Sequence, residues 1–233
     1  MLFCVKTFAT EEASKSLASH LAPGAVVISL QNGVDNVERM HSAAHIRAIP
    51  AVVYVAVAMS APGRVKHSGR GDLIVGHLLE DGRQPDLASL SEFFTRAEIP
   101  CRVSGNIEAD LWTKMIMNCA YNAISALGRA RYGRLVSNPW TRDLMRRVTE
   151  EAVAIARAGG VRLPDVDMVE AVWKLAETMS EATSSTAQDI ARGNRTEIDS
   201  LNGYLVRRGA QLGVPTPVNQ TLNALVKLLE ESV

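Results

Sequence analysis

No GxGxxG turn, CxxC pair or HExxH helix occurs anywhere in this chain of 233 residues. The three cysteines, Cys4, Cys101 and Cys119, lie far apart in apolar runs. That spacing excludes a disulfide framework or a zinc site and fits a reducing compartment. His41 and His45 stand one helical turn apart, but no third ligand completes a metal site beside them. Neither sign of charge prevails, with 25 Lys and Arg against 25 Asp and Glu. An electrostatic nucleic-acid binder is thereby disfavoured, although Arg129, Arg131 and Arg134 cluster locally. The longest apolar run, Ala48 to Met59, contains Pro50 and falls short of the roughly 20 residues of a membrane span. No basic segment leads into a cleavable apolar core at the N-terminus. The expectation is a cytoplasmic protein that binds no metal, membrane or nucleic acid.

What is present changes character near residue 105. Before it, short apolar runs alternate with amphipathic stretches. "MLFCVK", "AVVISL" and "AIPAVVYVAVAM" read as strands, and "CRVS" as a last one. "TEEASKSLASHLA", capped by Thr10, "VERMHSA" and "DLASLSEFFTRAEI" read as helices. "RVKHSGRGDLIVGH" reads as a hairpin around Gly69 and Gly71. This alternation implies an α/β layer with parallel strand pairs. Beyond residue 105 nearly everything reads as helix. "NPWTRDLMRRVTEEAVAIARAGG" carries Asn138 as cap, Pro139 in the first turn and Gly159-Gly160 at its end. "DVDMVEAVWKLAETMS", "SSTAQDIARG" and "VNQTLNALVKLLEE" follow the same pattern, and "TEIDSLNGYLVRRGAQLG" opens with Thr196 and Asp199 in capping-box spacing. The division is therefore an α/β domain over 1–105 and an all-α domain over 106–233.

"LWTKMIMNCAYNAISAL" is an apolar helix with three polar residues set into it. Lys114, Asn118 and Asn122 recur every fourth residue and so share one face. Such a stripe is either a buried hydrogen-bond ladder or the wall of a polar cleft. A lysine among apolar neighbours loses hydration, which lowers its pKa and suits it to deliver a proton near neutrality. The plain alternative is a lysine whose head reaches water. Glu197, in the first turn of its helix, either matches the helix dipole or holds a ligand hydroxyl or cation. Asn32-Gly33 fits a tight turn at the carboxyl end of a strand, where open α/β sheets bind ligands, and Lys6 ends a strand at the same rim. Ser184-Ser185 reads as a helix cap.

Taken in order, "VKT", "LQNGVDN", "GRGDLIVG", "LWTKMIMNCAYNAISAL" and "SSTAQDIARGNRTEIDSLNGYLVRRGAQLGVPTPVN" resemble the ketopantoate reductase (2-dehydropantoate 2-reductase) family along essentially the whole chain. The resemblance implies a Rossmann-like domain followed by a helical domain like the C-terminal domain of 6-phosphogluconate dehydrogenase. It also implies NADPH-dependent reduction of 2-dehydropantoate to pantoate, on the route to pantothenate and coenzyme A. By position in the motifs it makes Lys114 the general acid. It makes Asn118, Asn122, Ser185 and Glu197 substrate-binding residues, and sets Lys6, Asn32 and Glu197 at the edge shared with the NADP cofactor. The polar stripe then reads as a cleft wall. A homodimer through the helical domain is expected with it.

One departure from the family pattern stands out. The family opens with a strand, GxGxxG and a helix that hold the pyrophosphate, roughly 65 to 70 residues absent from the sequence as given. The Rossmann-like part is thus expected to be N-terminally truncated, and "MLFCVK" to be a sheet edge. Two other functional classes stay open from sequence: a catalytically inactive remnant acting as a helical dimerisation or binding module, and a reductase of another small 2-oxoacid. Residues 1–233 are expected not to bind NADPH at micromolar concentration, because the phosphate-cradling turn is not among them. Limited proteolysis is expected to cut the α/β part first. Tight stoichiometric NADPH binding in a titration would overturn that expectation.

Overall fold

The computed structural model describes residues 1–78 and 85–232. It separates into two compact units, Met1–Leu111 and Trp112–Val233. The first unit is built on a five-stranded sheet whose spatial order follows the chain. Its strands are β1 (Leu2–Phe3), β2 (Ile28–Ser29), β3 (Ile49–Ala61), β4 (Arg64–Val75) and β5 (Cys101–Val103). β1, β2 and β3 run parallel, β3 and β4 antiparallel, and β4 and β5 parallel again. The helices are α1 (Thr10–Ala18), α2 (Asn36–Ala44) and α3 (Leu87–Arg96).

Alternation along the strands assigns the two faces of the sheet. Ile28, Ile49, Ala51, Leu73 and Val75 pack with Leu87 and Phe94 of α3. The neighbouring positions Phe3, Val27 and Ala48 pack with Met40 and with Ala13, Leu17 and Val37 of α1 and α2. Helices therefore cover both faces, the Rossmann-like arrangement that strand–helix alternation implies.

Two local expectations are corrected. The hairpin turns at Pro62-Gly63, where Gly63 has φ +72°, and not around Gly69 and Gly71. Those glycines lie inside β4 with φ +148° and +142°, flanking Arg70 at φ +55°. The register slips between Tyr54 and Val55 and again between Ala56 and Val57. Glycine here marks a bulged strand, which a sequence pattern shares with a turn. Thr10 is the first residue of α1, whose cap position is Ala9.

The second unit is helical: α4 (Ile107–Gly128, entering from the first unit), α5 (Tyr132–Ser137), α6 (Pro139–Ala158), α7 (Met168–Met179), α8 (Ser185–Ala191), α9 (Asn202–Leu212) and α10 (Pro217–Glu230). Asn138 caps α6 by accepting from the N–H groups of Trp140 and Thr141 at 2.9 and 3.2 Å, as its sequence context implies. α4 is buried along most of its length. Met115, Ile116, Cys119, Ala120 and Ala123 are buried along it. Tyr121 donates its hydroxyl to the Val172 carbonyl of α7 at 2.7 Å.

The capping box at Thr196 does not form. α9 starts at Asn202, and the residues before it make a single 3-10 turn, Ile198–Ser200. Asp199 is drawn instead to Lys227, at 2.9 Å. A tertiary ion pair has taken the carboxylate that the local motif would use.

Gly76 follows β4 where a Cβ would stand 2.5 Å from Ile107 Cβ. Gly76→Ala should lower stability by about 1–3 kcal/mol through overpacking. The measure is a lower urea midpoint at unchanged m.

Candidate active site

In the first unit, β1, β2 and β3 end at one rim because they run parallel. Lys6 and Asn32 both lie there, half-buried, in the segments that follow β1 and β2. Lys6 leads into a single 3-10 turn, Thr7–Ala9, with Ala9 N donating to the Lys6 carbonyl at 2.9 Å, and Asn32 lies in an irregular stretch, so side chains supply much of the remaining support. Gln31 is buried and donates to the Val5 carbonyl at 3.1 Å and to Thr10 Oγ1 at 2.8 Å, while accepting from Ser29 Oγ at 3.1 Å. The Asn32 carbonyl accepts from Thr7 Oγ1 at 3.2 Å and from Asn36 Nδ2 at 2.7 Å. Gly33 turns the chain with φ +103°, a conformation that favours glycine. These bonds fix the main chain at Lys6 and Asn32 relative to each other. Sequence reasoning missed Thr7, Thr10, Gln31 and Asn36. Their signal, small polar residues one turn apart at strand ends, is shared with ordinary loops.

In the second unit, the polar stripe grades along α4. Lys114 and Asn118 are half-buried and Asn122 is 2% exposed. Asn122 Nδ2 donates to Ser185 Oγ at 3.4 Å. Ser184, the cap of α8, donates to the Asn122 carbonyl at 3.1 Å and accepts from Ala187 N at 3.0 Å. The two serines thus divide the work: one holds the helix start, and the other faces the amide. The inner end of the stripe is thus buried and hydrogen-bonded, and its outer end is half-buried.

Glu197 is 8% exposed and acts on Lys114 through its charge. Burial pulls the Lys114 pKa from its ordinary value down to about 8, and the Glu197 carboxylate opposes that fall. The two side chains are 83 positions apart in sequence and are brought together by the fold. An amine with this pKa can both hold and release a proton near neutrality. Among the described residues no group of His, Cys, Asp and Glu is arranged to hold a metal ion, and no helix is long and apolar enough to cross a membrane.

Comparison with known proteins places this geometry. Residues 106–230 match the family profile "Ketopantoate reductase PanE/ApbA C terminal", and residues 1–80 match "Ketopantoate reductase PanE/ApbA". The chain belongs to the ketopantoate reductase family. A 2-dehydropantoate 2-reductase of Archaeoglobus fulgidus is 33% identical over 230 residues, covering 98% of this chain and 76% of that protein. One from Pyrobaculum aerophilum is 35% identical over 217 residues, covering 93% and 73%. A crystal structure of a PanE/ApbA family ketopantoate reductase from Ralstonia eutropha superposes with a TM-score of 0.90 at 48% identity, covering 99% of this chain and 75% of that one. The Rossmann-like and helical parts expected from sequence are those of the ketopantoate reductase fold.

The depressed Lys114 pKa links its charge to folding. The unfolded chain binds this proton up to about pH 10.5, whereas the folded protein releases it near pH 8. Between those values the unfolded state holds more protons, so stability rises with pH. Urea denaturation of the parent and of Lys114→Met at pH 7.5 and pH 10.5 should show the difference between them moving in favour of the parent by roughly 1–3 kcal/mol. A difference that stays constant would show that Lys114 titrates normally.

Proposed function

We propose that this protein reduces the ketone of 2-dehydropantoate to the hydroxyl of pantoate with NADPH, in the formation of pantothenate and coenzyme A. The observation that carries the reading is Lys114, a partly desolvated amine poised near neutral pH beside a buried carboxylate. Membership of the ketopantoate reductase family supports it, as do the names of the relatives.

Bound NADPH would supply a hydride to the ketone carbon. The negative charge then grows on the ketone oxygen, and an ammonium there gives the largest stabilisation where it is needed. Lys114 donates a proton from Nζ to that oxygen and regains one from solvent. Glu197 keeps Lys114 charged against the pull of burial and receives a substrate hydroxyl. Asn118 and Asn122 donate to the substrate's hydroxyl or carboxylate. Ser185, held by Asn122, contributes a further donor to the carboxylate. Fixed donors of this kind orient the ketone before reaction.

Lys6 and Asn32 form the cofactor edge in this reading. Three features support a nicotinamide end there: the rim follows parallel strands, its main chain is tied by Gln31, Thr7 and Asn36, and Gly33 turns it at positive φ with no side chain.

In an active form of the protein, Lys114→Ala should lower kcat by about 10² or more. Glu197→Gln should lower kcat/KM by about tenfold or more without loss of the far-ultraviolet spectrum. The assay follows NADPH oxidation with 2-dehydropantoate beside shorter 2-oxoacids. A Lys114→Ala enzyme within about threefold of the parent would refute the proton-donor role.

A further inference from the structure

α10 grips the segment that carries Glu197 at three places. Near its start, Asn219 Oδ1 accepts from Asn202 Nδ2 at 2.9 Å. Asn219 is itself held by Glu151 of α6, whose Oε2 accepts from Asn219 Nδ2 at 2.7 Å and from Asn219 N at 3.0 Å. Asn202 Nδ2 also lies 3.3 Å from the Cys119 carbonyl of α4, between Asn118 and Asn122. Both asparagines are wholly buried. Two turns later, Lys227 Nζ donates to both carboxylate oxygens of Asp199, at 3.0 and 2.9 Å. At the last residue of α10, Glu230 Oε1 accepts from Thr196 N at 2.6 Å. On a helix, positions 219, 227 and 230 fall within about 80° of one another. One face of α10 makes all three contacts.

The segment needs such support. Between Thr196 and Asn202 it has a single 3-10 turn, and Leu201 sits at φ −108°, ψ −101°. Its own ties at Glu197 are few: Ser200 N donates to the Glu197 carbonyl at 2.9 Å and Ile198 N to Thr196 Oγ1 at 3.1 Å, with no α-helical ladder around them. The Thr196 contact lies one residue before Glu197, and the Asp199 and Asn202 contacts follow it.

We propose that α10 is a positioning element for the Glu197 carboxylate, with Asn219, Lys227 and Glu230 as positioning residues that hold it against Lys114. The kinetic consequence rests on the proton-donor reading of Lys114; the hold on the segment rests on the hydrogen bonds, and the link from Glu197 to Lys114 on the charge interaction between them. Glu197 is the charge that acts on Lys114, and the polar residues beside Lys114 on α4, Asn118 and Asn122, are neutral amides. If Glu197 loosens, Lys114 loses the field that opposes burial and releases its proton at lower pH.

The test is a titration of the full chain carrying lysine labelled with ¹³C at Cε, followed by NMR. The Lys114 signal is assigned by its absence in Lys114→Ala. In Glu230→Ala and in Lys227→Met, Lys114 should titrate about half a pH unit lower than in the parent. Glu230→Gln keeps an oxygen acceptor for Thr196 N without the charge, and should titrate as the parent does. Lys227→Met discriminates by sign, because loss of a cation acting only through space would raise the Lys114 pKa. Both side chains are partly exposed, so each variant is expected to fold, which circular dichroism would check. The proposal falls if Lys114 stays within about 0.2 units of the parent in both Glu230→Ala and Lys227→Met. It falls equally if Glu230→Gln shifts as far as Glu230→Ala. In an active enzyme the alkaline limb of kcat/KM should move with the NMR value. A limb that stays while the NMR value moves would leave the positioning element standing and refute the proton-donor reading.

Discussion

An amine held partly out of water on a packed helix is the constraint around which the second unit is arranged. α4 is buried along most of its length, so most of its side chains from Leu111 to Leu127 are apolar and fill the core. Of the polar residues in that stretch Lys114 alone is charged, and removing its charge from water is costly. The Glu197 carboxylate offsets part of the cost, which leaves a pKa of about 8 rather than a neutral amine or a fully charged one. Neither burial nor the carboxylate alone gives that intermediate value. Burial by itself would lower the pKa further, and the carboxylate by itself would raise it.

The same economy runs through the irregular segments that carry candidate residues in each unit. Residues near Lys6 and Asn32 and residues near Glu197 lie outside long helices or strands, yet their main chain is tied at several points. In the first unit the ties come from the amides and hydroxyls of Gln31, Thr7 and Asn36; in the second they come from the Thr196 hydroxyl, the Glu230 carboxylate and the Lys227–Asp199 pair, with Asn219 holding Asn202. A reactive group set on a regular element gains precision from its backbone ladder. One set on a loop needs partners of this kind, since unpaired backbone inside a protein is expensive. Glu151 illustrates how far such support extends. It caps the first turn of α10 through Val218 N and Asn219 N, and through Asn219 it reaches the helix that carries Lys114.

Much of this was readable from the chain by local rules. The 3.6-residue period marked the helices, Asn138 and Ser184 stand where caps were expected, and the alternation of strand and helix implied an α/β layer with parallel strand pairs. The spacing of Lys114, Asn118 and Asn122 put three polar groups on one helical face. Motif resemblance then named the family, which the family profiles bear out. Local rules failed where a distant residue competed for the same group. Asp199 was placed in a capping box because Thr196 stands three residues earlier, but Lys227 from α10 captures it and α9 begins later. Gly69 and Gly71 signalled a turn because glycine relieves positive φ in turns and bulges alike; only the pairing of β3 with β4 decides between them.

The sequence by itself therefore determined the elements, the two-part organisation and the residue types available for proton transfer, because these follow from spacing within a few helical turns or strand repeats. Only the tertiary structure decided that Glu197 acts on Lys114, that Asn122 is spent on Ser185 while Asn118 is half-buried, and that α10 bears on the Glu197 segment. Those pairings join positions tens of residues apart, and no local period encodes them. They exist because packing the apolar faces of α4, α6, α9 and α10 leaves each polar side chain between them with few partners within reach, and burial makes an unpaired group too costly to keep.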